Sequence, residues 1–344
     1  MYLKFNNVYL NSSYVISGKL EGEGPLGVYF NRIMKFDEAS FNRNEIYSLK
    51  EAIDSLIEVN DISINKLDLA ISADLSNQLA VSSYTYRGFQ IPLINIYSAC
   101  ASFALEVIIS SIIIDSNKAS NILVTTSSNT QNAERQFRYP NEYWGPKEET
   151  QTQTVTIASA AIISNEESQI RITEGVIGQV IDFGFSDALD FGRCMAPAAI
   201  EVLLEYFSKT KKSPKDFDLI LTGDLSKYGY EIVKKELEKE FHYSDNYKDC
   251  GLLIYDIERQ KVNAGGSGPG CSSGVVLSYV KKEMLKGKFN KVLVVSTGAL
   301  LNTNIILEKE SIPSIAHLFV MEVVKWYFYM HFYLVVLFVQ WQSL

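Results

Sequence analysis

Two stretches of the chain decide the fold because they repeat each other: LDLAISADLS at residues 67–76 and FDLILTGDLS at residues 217–226. Each is a short apolar run rich in branched side chains, followed by Asp-Leu-Ser. Such runs are typical of buried strands, and Asp and Ser favour turns at their ends. Five positions are identical in the two stretches; they are Asp68, Leu69, Asp74, Leu75 and Ser76, matched by Asp218, Leu219, Asp224, Leu225 and Ser226.

Two further matches occur in the same order along the chain. AIDSLIE at residues 52–58 matches AIEVLLE at residues 199–205, and ACAS around Cys100 matches GCSS around Cys271. The order of helix, strand, cysteine turn, helix and strand therefore occurs twice. A repeated supersecondary order predicts a duplicated α/β unit, with halves at residues 1–170 and 171–317.

Composition excludes several classes of protein. The 344 residues are 47% hydrophobic and 21% charged, which is typical of a packed globular protein and not of a disordered chain. A formal net charge of −8 argues against nucleic acid as a partner. Four cysteines without a CxxC pair give no zinc signature, and we expect neither a metal site nor a cofactor. The N-terminal residues do not read as a signal peptide, so we expect a cytosolic body.

Cys100 and a glycine-rich run are the chemically distinctive features. Cys100 directly precedes a helical run, and a helix N-terminus lowers the pKa of a thiol. The alternative is a small buried residue in a tight turn. Gly266 and Gly268, in the run AGGSGPGC, permit close approach of the backbone to a ligand. They predict either a pocket wall or a tight turn before a helix.

The duplication, the cysteine turn and the glycine-rich run together resemble the thiolase-like superfamily, which includes thiolases and β-ketoacyl synthases. The resemblance implies a duplicated five-layer α/β/α/β/α fold. Condensing enzymes of this superfamily combine a cysteine with two histidines, or with a histidine and an asparagine. Here the matching turn, TGDLS at residues 222–226, has no imidazole, and His317 is the one remaining partner for Cys100. The catalytic set is incomplete, which weighs against an enzyme and makes Cys100 and His317 vestigial candidates.

Several longer stretches resemble one branch of the superfamily, the stage V sporulation protein AD family of spore-forming bacteria. The most specific are FRYPNEY at residues 137–143 and LILTGDL at residues 219–225. The resemblance implies a sporulation protein that binds dipicolinic acid, or its calcium chelate, and supports its uptake into the developing spore before germination. It also implies a homodimer in the spore cytoplasm, peripheral at the spore inner membrane, with membrane proteins of the same channel as partners.

Dipicolinic acid is a flat ring with two carboxylates, so its site calls for arginine forks and aromatic faces. The segment 134–143 interleaves both kinds of side chain, although Glu134 and Arg138 could simply form an exposed helical ion pair. Two alternatives stay open: an acyltransferase or condensing enzyme that uses Cys100 on a coenzyme A or carrier thioester, and a non-catalytic structural subunit of a membrane channel complex. The candidate ligand-binding residues are Cys100, Arg135, Arg138, Tyr139, Glu142, Tyr143, Gly266, Gly268 and His317.

The last 27 residues, 318–344, differ from the rest of the chain. They hold 9 of the 41 aromatic residues, and residues 326–339 read WYFYMHFYLVVLFV. This run is shorter than the ~20 residues of a spanning helix. It predicts a membrane-interface anchor, a buried terminal helix, or a tail read out of frame after a frameshift near His317. The nucleotide sequence tests the third interpretation.

Overall fold

The computed structural model of the protein describes residues 1–34, 40–137 and 147–324. Within these ranges the chain forms fourteen strands. They are β1 Tyr2–Lys4, β2 Tyr9–Ser17, β3 Arg32–Ile33, β4 Leu69–Ala73, β5 Leu93–Asn95, β6 Asn121–Ser128, β7 Gln153–Thr154, β8 Ile157–Ser164, β9 Ile170–Ile177, β10 Leu219–Thr222, β11 Tyr247–Asp249, β12 Gly266–Ser267, β13 Lys291–Ala299 and β14 Ser314–Val323.

The same ranges contain twelve α-helices. They are α1 Lys19–Gly22, α2 Phe41–Val59, α3 Ala80–Tyr86, α4 Ser102–Asp115, α5 Thr130–Phe137, α6 Phe191–Thr210, α7 Ser226–Phe241, α8 Cys250–Leu253, α9 Ile257–Gln260, α10 Pro269–Val275, α11 Lys281–Leu285 and α12 Thr303–Leu307. A π-helical turn, Val276–Val280, joins α10 to α11.

The strands confirm the duplication in their order and direction. The first half runs β5-β4-β6-β8-β2, and the second runs β11-β10-β13-β14-β9. In each half the repeated strand, β4 or β10, has parallel neighbours on both sides. The last two pairings of each half are antiparallel. The halves meet where Tyr9 on β2 pairs with Arg171 on β9.

The helices form three layers around these two half-sheets. α4 and α10 lie between the half-sheets, and the largest apolar cluster joins them to both. α2 covers the outer face of the first half-sheet, and α6 covers that of the second. Nine of the 14 residues of α4, SFALEVIISSIIID, are apolar and they lie all round the helix, because both of its faces are covered. The result is the expected α/β/α/β/α arrangement.

The end of the second half lies later than expected. β14 occupies the position that β8 has in the first half, between β13 and β9. The ring of Phe319 on β14 packs 5.8 Å from that of Phe103 on α4. The tail boundary expected at residue 318 therefore falls inside a strand of the main sheet, and residues 318–323 are part of the fold. Residues 325–344 lie outside the described part.

Helices long and apolar enough to cross a membrane are absent from the described ranges.

Candidate functional site

Cys100 lies in a tight turn that opens into α4. Ala99, immediately before it, has a positive φ of 47°. Ser102 Oγ accepts a hydrogen bond from the Ser98 backbone N–H at 2.9 Å and donates to the Ala99 carbonyl at 2.7 Å. These local bonds hold the strained residue and fix the direction in which the Cys100 side chain leaves the turn.

A buried carboxyl group from the second half lies beside the thiol. Asp224, in the turn after β10, accepts hydrogen bonds from Thr297 Oγ1 at 2.7 Å, Ser267 Oγ at 3.1 Å and the Gly268 N–H at 3.0 Å. Cys100 Sγ is 4.0 Å from Ser267 Oγ, the hydroxyl that donates to Asp224, so Ser267 connects the thiol to the carboxylate. The thiol and carboxyl groups from the two halves thus form one buried network.

Burial, followed by the charge of Asp224, raises the pKa of the Cys100 thiol well above its usual range. The expectation that the start of α4 lowers this pKa is therefore wrong: desolvation of the thiolate outweighs the helix dipole. Burial likewise raises the pKa of Asp224 to about 6, although its hydrogen bonds act in the opposite direction. At neutral pH Cys100 is a protonated thiol and a weak nucleophile.

His317 contacts the cysteine turn and not the cysteine itself. Its Nε2 lies 3.0 Å from Ser98 Oγ, and its Nδ1 accepts the Gly178 N–H at 3.2 Å. Because Nδ1 accepts, Nε2 carries the proton and donates a hydrogen bond to Ser98 Oγ. Burial lowers the pKa of His317 to about 4, so the ring is neutral. His317 thereby joins β14 to the turn before α4.

The two predicted glycines form the wall on which the network rests. A Cβ at Gly266 would lie 2.8 Å from Ile254 Cγ2, within the apolar core. Gly268 has φ of +102° and directs its N–H at Asp224. Ser267, between the two glycines, lines the pocket beside Cys100. The glycine-rich run is therefore both a tight turn and a pocket wall.

The pocket at Cys100 is narrow and mostly apolar. Its open volume is about 30 Å³, room for roughly one water molecule. It is lined by Leu75, Tyr97, Ala99, Cys100, Phe137, Thr154, Phe191, Met195, Ser267, Ala299 and Leu301. A wider groove adjoins it and shares Tyr97, Phe137 and Leu301. Amide side chains, among them Asn77, Gln136 and Asn302, make this groove polar.

Arg135 on α5 lines the groove. Its side chain is exposed, and within the described ranges its guanidinium has no hydrogen-bond or ion-pair partner. Its neighbour Glu134 is paired with Lys147, with Nζ and Oε1 2.7 Å apart. The other predicted residues of this segment, Arg138, Tyr139, Glu142 and Tyr143, lie outside the described residues.

Sequence reasoning missed Asp224 and Ser267 as site residues. The signal for Asp224 was its identity with Asp74 in the repeat. Asp74 also sits in a buried turn, where it accepts hydrogen bonds from the backbone N–H and the hydroxyl of Ser82 at 2.8 and 2.6 Å. The two aspartates thus fix equivalent turns, and Asp224 alone is brought against a cysteine. Clusters of three or more acidic, histidine or cysteine ligands suited to a metal ion are absent from the described ranges.

Solved structures of low sequence identity share the fold. 3-Oxoacyl-(acyl-carrier-protein) synthase III of Aquifex aeolicus matches with a TM-score of 0.57 and 13% identity, over 92% of this chain and 99% of that chain. An OleA variant of Xanthomonas campestris bound with cerulenin matches with a TM-score of 0.63 and 11% identity, over 93% of this chain and 98% of that one. These likenesses identify a thiolase-like fold and nothing finer.

Sequence comparison is more specific. The curated stage V sporulation protein AD of Bacillus subtilis is 39% identical over 314 residues, which cover 90% of this chain and 93% of that protein. The model of the family described as stage V sporulation protein AD (SpoVAD) matches residues 2–322, so the match continues through nearly all of β14. The duplicated thiolase-like chain is thus a sporulation protein and belongs to the stage V sporulation protein AD family.

Proposed function

We propose that this sporulation protein binds dipicolinic acid, or its calcium chelate, in the groove beside the Cys100 pocket and supports its uptake into the developing spore. The observation that carries the proposal is Arg135, an exposed guanidinium without a partner in the described ranges, in a groove that also contains Phe137 and Tyr97. Carboxylate residues are absent from the described lining of this groove. An arginine fork beside aromatic rings is the chemistry that a flat dicarboxylate requires.

The small volume of the Cys100 pocket favours the adjoining groove as the place where the pyridine ring of the ligand binds. A volume of about 30 Å³ is too small for a pyridine dicarboxylate. Asp224, with a pKa of about 6, is mostly ionised at neutral pH and would repel a carboxylate brought close to Cys100. The two carboxylates of the ligand therefore bind in the groove near Arg135, and calcium lowers the remaining repulsion between them and Asp224.

The assembly is part of the same proposal. We infer that the protein acts as a homodimer in the cytoplasm of the developing spore, peripheral at the spore inner membrane, with membrane proteins of the same channel as partners. Membership of the stage V sporulation protein AD family supports this placement.

Titration calorimetry with dipicolinate, with and without calcium, tests the ligand. We expect saturable heat that Arg135→Ala reduces about tenfold or more in affinity, since a charge-assisted bidentate pair is lost. Arg87→Ala is the matched control, because Arg87 is also an exposed arginine but stacks on Tyr84 at 5.2 Å outside the groove. Arg138→Ala tests the second arginine of the motif.

The same protein distinguishes the alternatives. Unchanged affinity in both Arg135→Ala and Arg138→Ala contradicts the arginine site. No dipicolinate heat, combined with burst release of coenzyme A from an acyl-coenzyme A, would replace the proposal with an acyltransferase that uses Cys100. If neither dipicolinate heat nor release of coenzyme A is seen, the remaining alternative is a structural subunit of the channel complex.

A further inference from the structure

A lysine-rich surface stands out on this acidic chain. Residues 281–291, KKEMLKGKFNK, hold five lysines and one acidic residue, although the whole chain has a formal net charge of −8. The segment comprises α11 and the loop that leads into β13. It lies at the far end of the central layer from Cys100. The helical stretch from Pro269 to Leu285 begins at the glycine-rich run and, at ~1.5 Å per residue, places the lysines ~25 Å away from it.

Three of these lysines contact a pair of packed tyrosines. Lys286 Nζ lies 5.4 Å from the centre of the Tyr29 ring, and Lys288 Nζ lies 5.5 Å from that of Tyr279. The two tyrosine rings pack edge to face at 4.9 Å. Lys282 Nζ donates to the Tyr29 carbonyl at 2.5 Å. Two cation–π contacts and one hydrogen bond therefore bring three ammonium groups close to this pair of tyrosines.

Exposed apolar side chains and an excess of positive charge complete this surface. Val28 is 85% exposed and Leu285 is 40% exposed. Glu283 is the acid within the segment, and it is paired with Lys286 at 2.9 Å and Lys288 at 3.2 Å, so the lysines outnumber it. We call this surface the lysine–tyrosine face; it consists of Val28, Tyr29, Tyr279, Lys282, Leu285, Lys286 and Lys288.

The chain leaves the described fold beside this face. The Val323 N–H donates to the carbonyl of Asn290 at 2.8 Å, two residues after Lys288. Lys291, at the start of β13, is paired with Glu322 near the end of β14, at 2.7 Å. The apolar run 326–339 begins three residues after Val323. The basic surface with exposed aliphatic side chains is complementary to the headgroup and acyl layers of an anionic bilayer, and the aromatic, apolar composition of the sequence after β14 suits the same partner.

We propose that the lysine–tyrosine face docks the protein on the surface of an anionic phospholipid bilayer. The lysines meet the lipid phosphates, and Val28 and Leu285 reach the boundary of the acyl layer. This docking leaves the Cys100 pocket and the Arg135 groove at the opposite end of the central layer. It rests on the proposed placement at the spore inner membrane and is independent of the ligand that the groove binds.

Vesicle co-sedimentation of the full chain tests the proposal. Vesicles of phosphatidylglycerol and phosphatidylcholine in equal parts are compared with phosphatidylcholine alone, at low and high salt. We expect binding to the anionic vesicles that weakens as salt rises. Replacement of Lys282, Lys286 and Lys288 by Gln should lower the partition coefficient about a hundredfold, because each lysine near an anionic surface contributes about fivefold.

The matched control is the triple replacement of Lys215, Lys234 and Lys239 by Gln. It removes the same charge, and these lysines also lie over tyrosine rings or in an i,i+3 ion pair. It should bind as the unmodified chain does. Val28→Asp is a second test variant; its side chain is 85% exposed, so it should weaken binding without disturbing the fold. Circular dichroism checks folding, and dipicolinate titration of the same variants separates loss of docking from loss of the groove.

Three outcomes would overturn the proposal. One is equal binding to anionic and neutral vesicles, which would assign attachment to apolar insertion alone. Another is undiminished binding by both the lysine and the Val28→Asp variants. The last is no vesicle binding by the unmodified chain.

Discussion

Cys100 and Asp224 come from different halves of the chain, and each changes the proton affinity of the other. The Ser267 hydroxyl connects the two groups, and the negative charge of Asp224 raises the pKa of the thiol. Burial of both groups acts in the same direction. A condensing enzyme needs a thiolate and a hydrogen-bond donor for an oxyanion. This pair supplies a protonated thiol and a hydrogen-bond acceptor instead.

Alkylation tests the state of the thiol. We expect iodoacetamide to modify Cys100 at pH 7 much more slowly than a free cysteine, because the raised pKa leaves almost no thiolate. Asp224→Asn removes the negative charge and should increase the rate several-fold, while desolvation keeps it below that of a free thiol. Mass spectrometry of the modified peptide measures the rate, and Cys100→Ser confirms the site. Modification at the rate of a free cysteine would contradict the raised pKa.

Asp224 also links stability to pH. Its pKa of about 6 lies above the ordinary value of 3.8, so the folded protein binds this proton more tightly than the unfolded chain. The contribution of Asp224 to stability is therefore greatest below about pH 4 and is lost as the pH rises through about 6. Asp224→Asn should remove this loss, because an amide can accept from Ser267 and Gly268 and donate to Thr297. Relative to the unmodified protein, the variant should gain about 2–3 kcal/mol between pH 4 and pH 7.

Urea unfolding at several pH values measures that gain. Asp182→Asn is a control of opposite sign, since the Ser311 hydroxyl and the Gly184 N–H lower the pKa of Asp182. Asp182 favours the folded state above its ordinary pKa, and this contribution fades as the pH falls. A constant difference between Asp224→Asn and the unmodified protein across the pH range would show that Asp224 does not titrate near 6.

At the scale of elements, the structure departs most from the sequence-based expectation in what His317 does. The sequence predicts that His317 is a partner of Cys100 in chemistry or ligand binding, because it is the one remaining candidate imidazole. In the structure it connects β14 to the Ser98–Ala99 turn and the chain after β9 at Gly178. The position of His317 in the sequence does not reveal this connection, because Ser98 and His317 are 219 positions apart and meet only through the packing of the two halves.

Loss of the His317 ring should loosen the cysteine turn. His317→Ala removes two hydrogen bonds and leaves the partly buried Gly178 N–H without its acceptor, which we expect to cost about 2–4 kcal/mol of unfolding free energy. Ser98→Ala removes the other partner alone and should cost about 1 kcal/mol. Urea unfolding of both single variants and the double variant measures the coupling between the two side chains. If His317→Ala unfolds like the unmodified protein, the assignment of His317 to this connection is wrong.

For the whole molecule, the repeat predicted the duplicated α/β unit, and the resemblance to the thiolase-like superfamily implied the five-layer arrangement. Asp68 and Asp218 illustrate why the repeat is informative. Each accepts a hydrogen bond from the backbone N–H at the start of the neighbouring strand in the sheet, Asn121 or Lys291, so the same residue fixes the same strand pairing twice. The site was less predictable. The pKa of Cys100 depends on Asp224 and on burial between the halves, and neither follows from the local pattern around ACAS.

The position of β14 leads to the last prediction, which concerns where the fold ends. Residues 318–323 pair with β13 on one side and β9 on the other, so they hold the second half-sheet together. A chain that ends at Val324 keeps every backbone pairing of β14 and should unfold cooperatively in urea. A chain that ends at His317 leaves Val292, Leu293 and Val294 without their partners Met321, Val320 and Phe319, and it opens the core beside Phe103. We expect that shorter chain to be insoluble or to lack a cooperative transition, because a split sheet leaves unpaired backbone groups and exposed apolar faces. Equal cooperativity of the two chains would show that residues 318–323 are dispensable and would restore the boundary at residue 318.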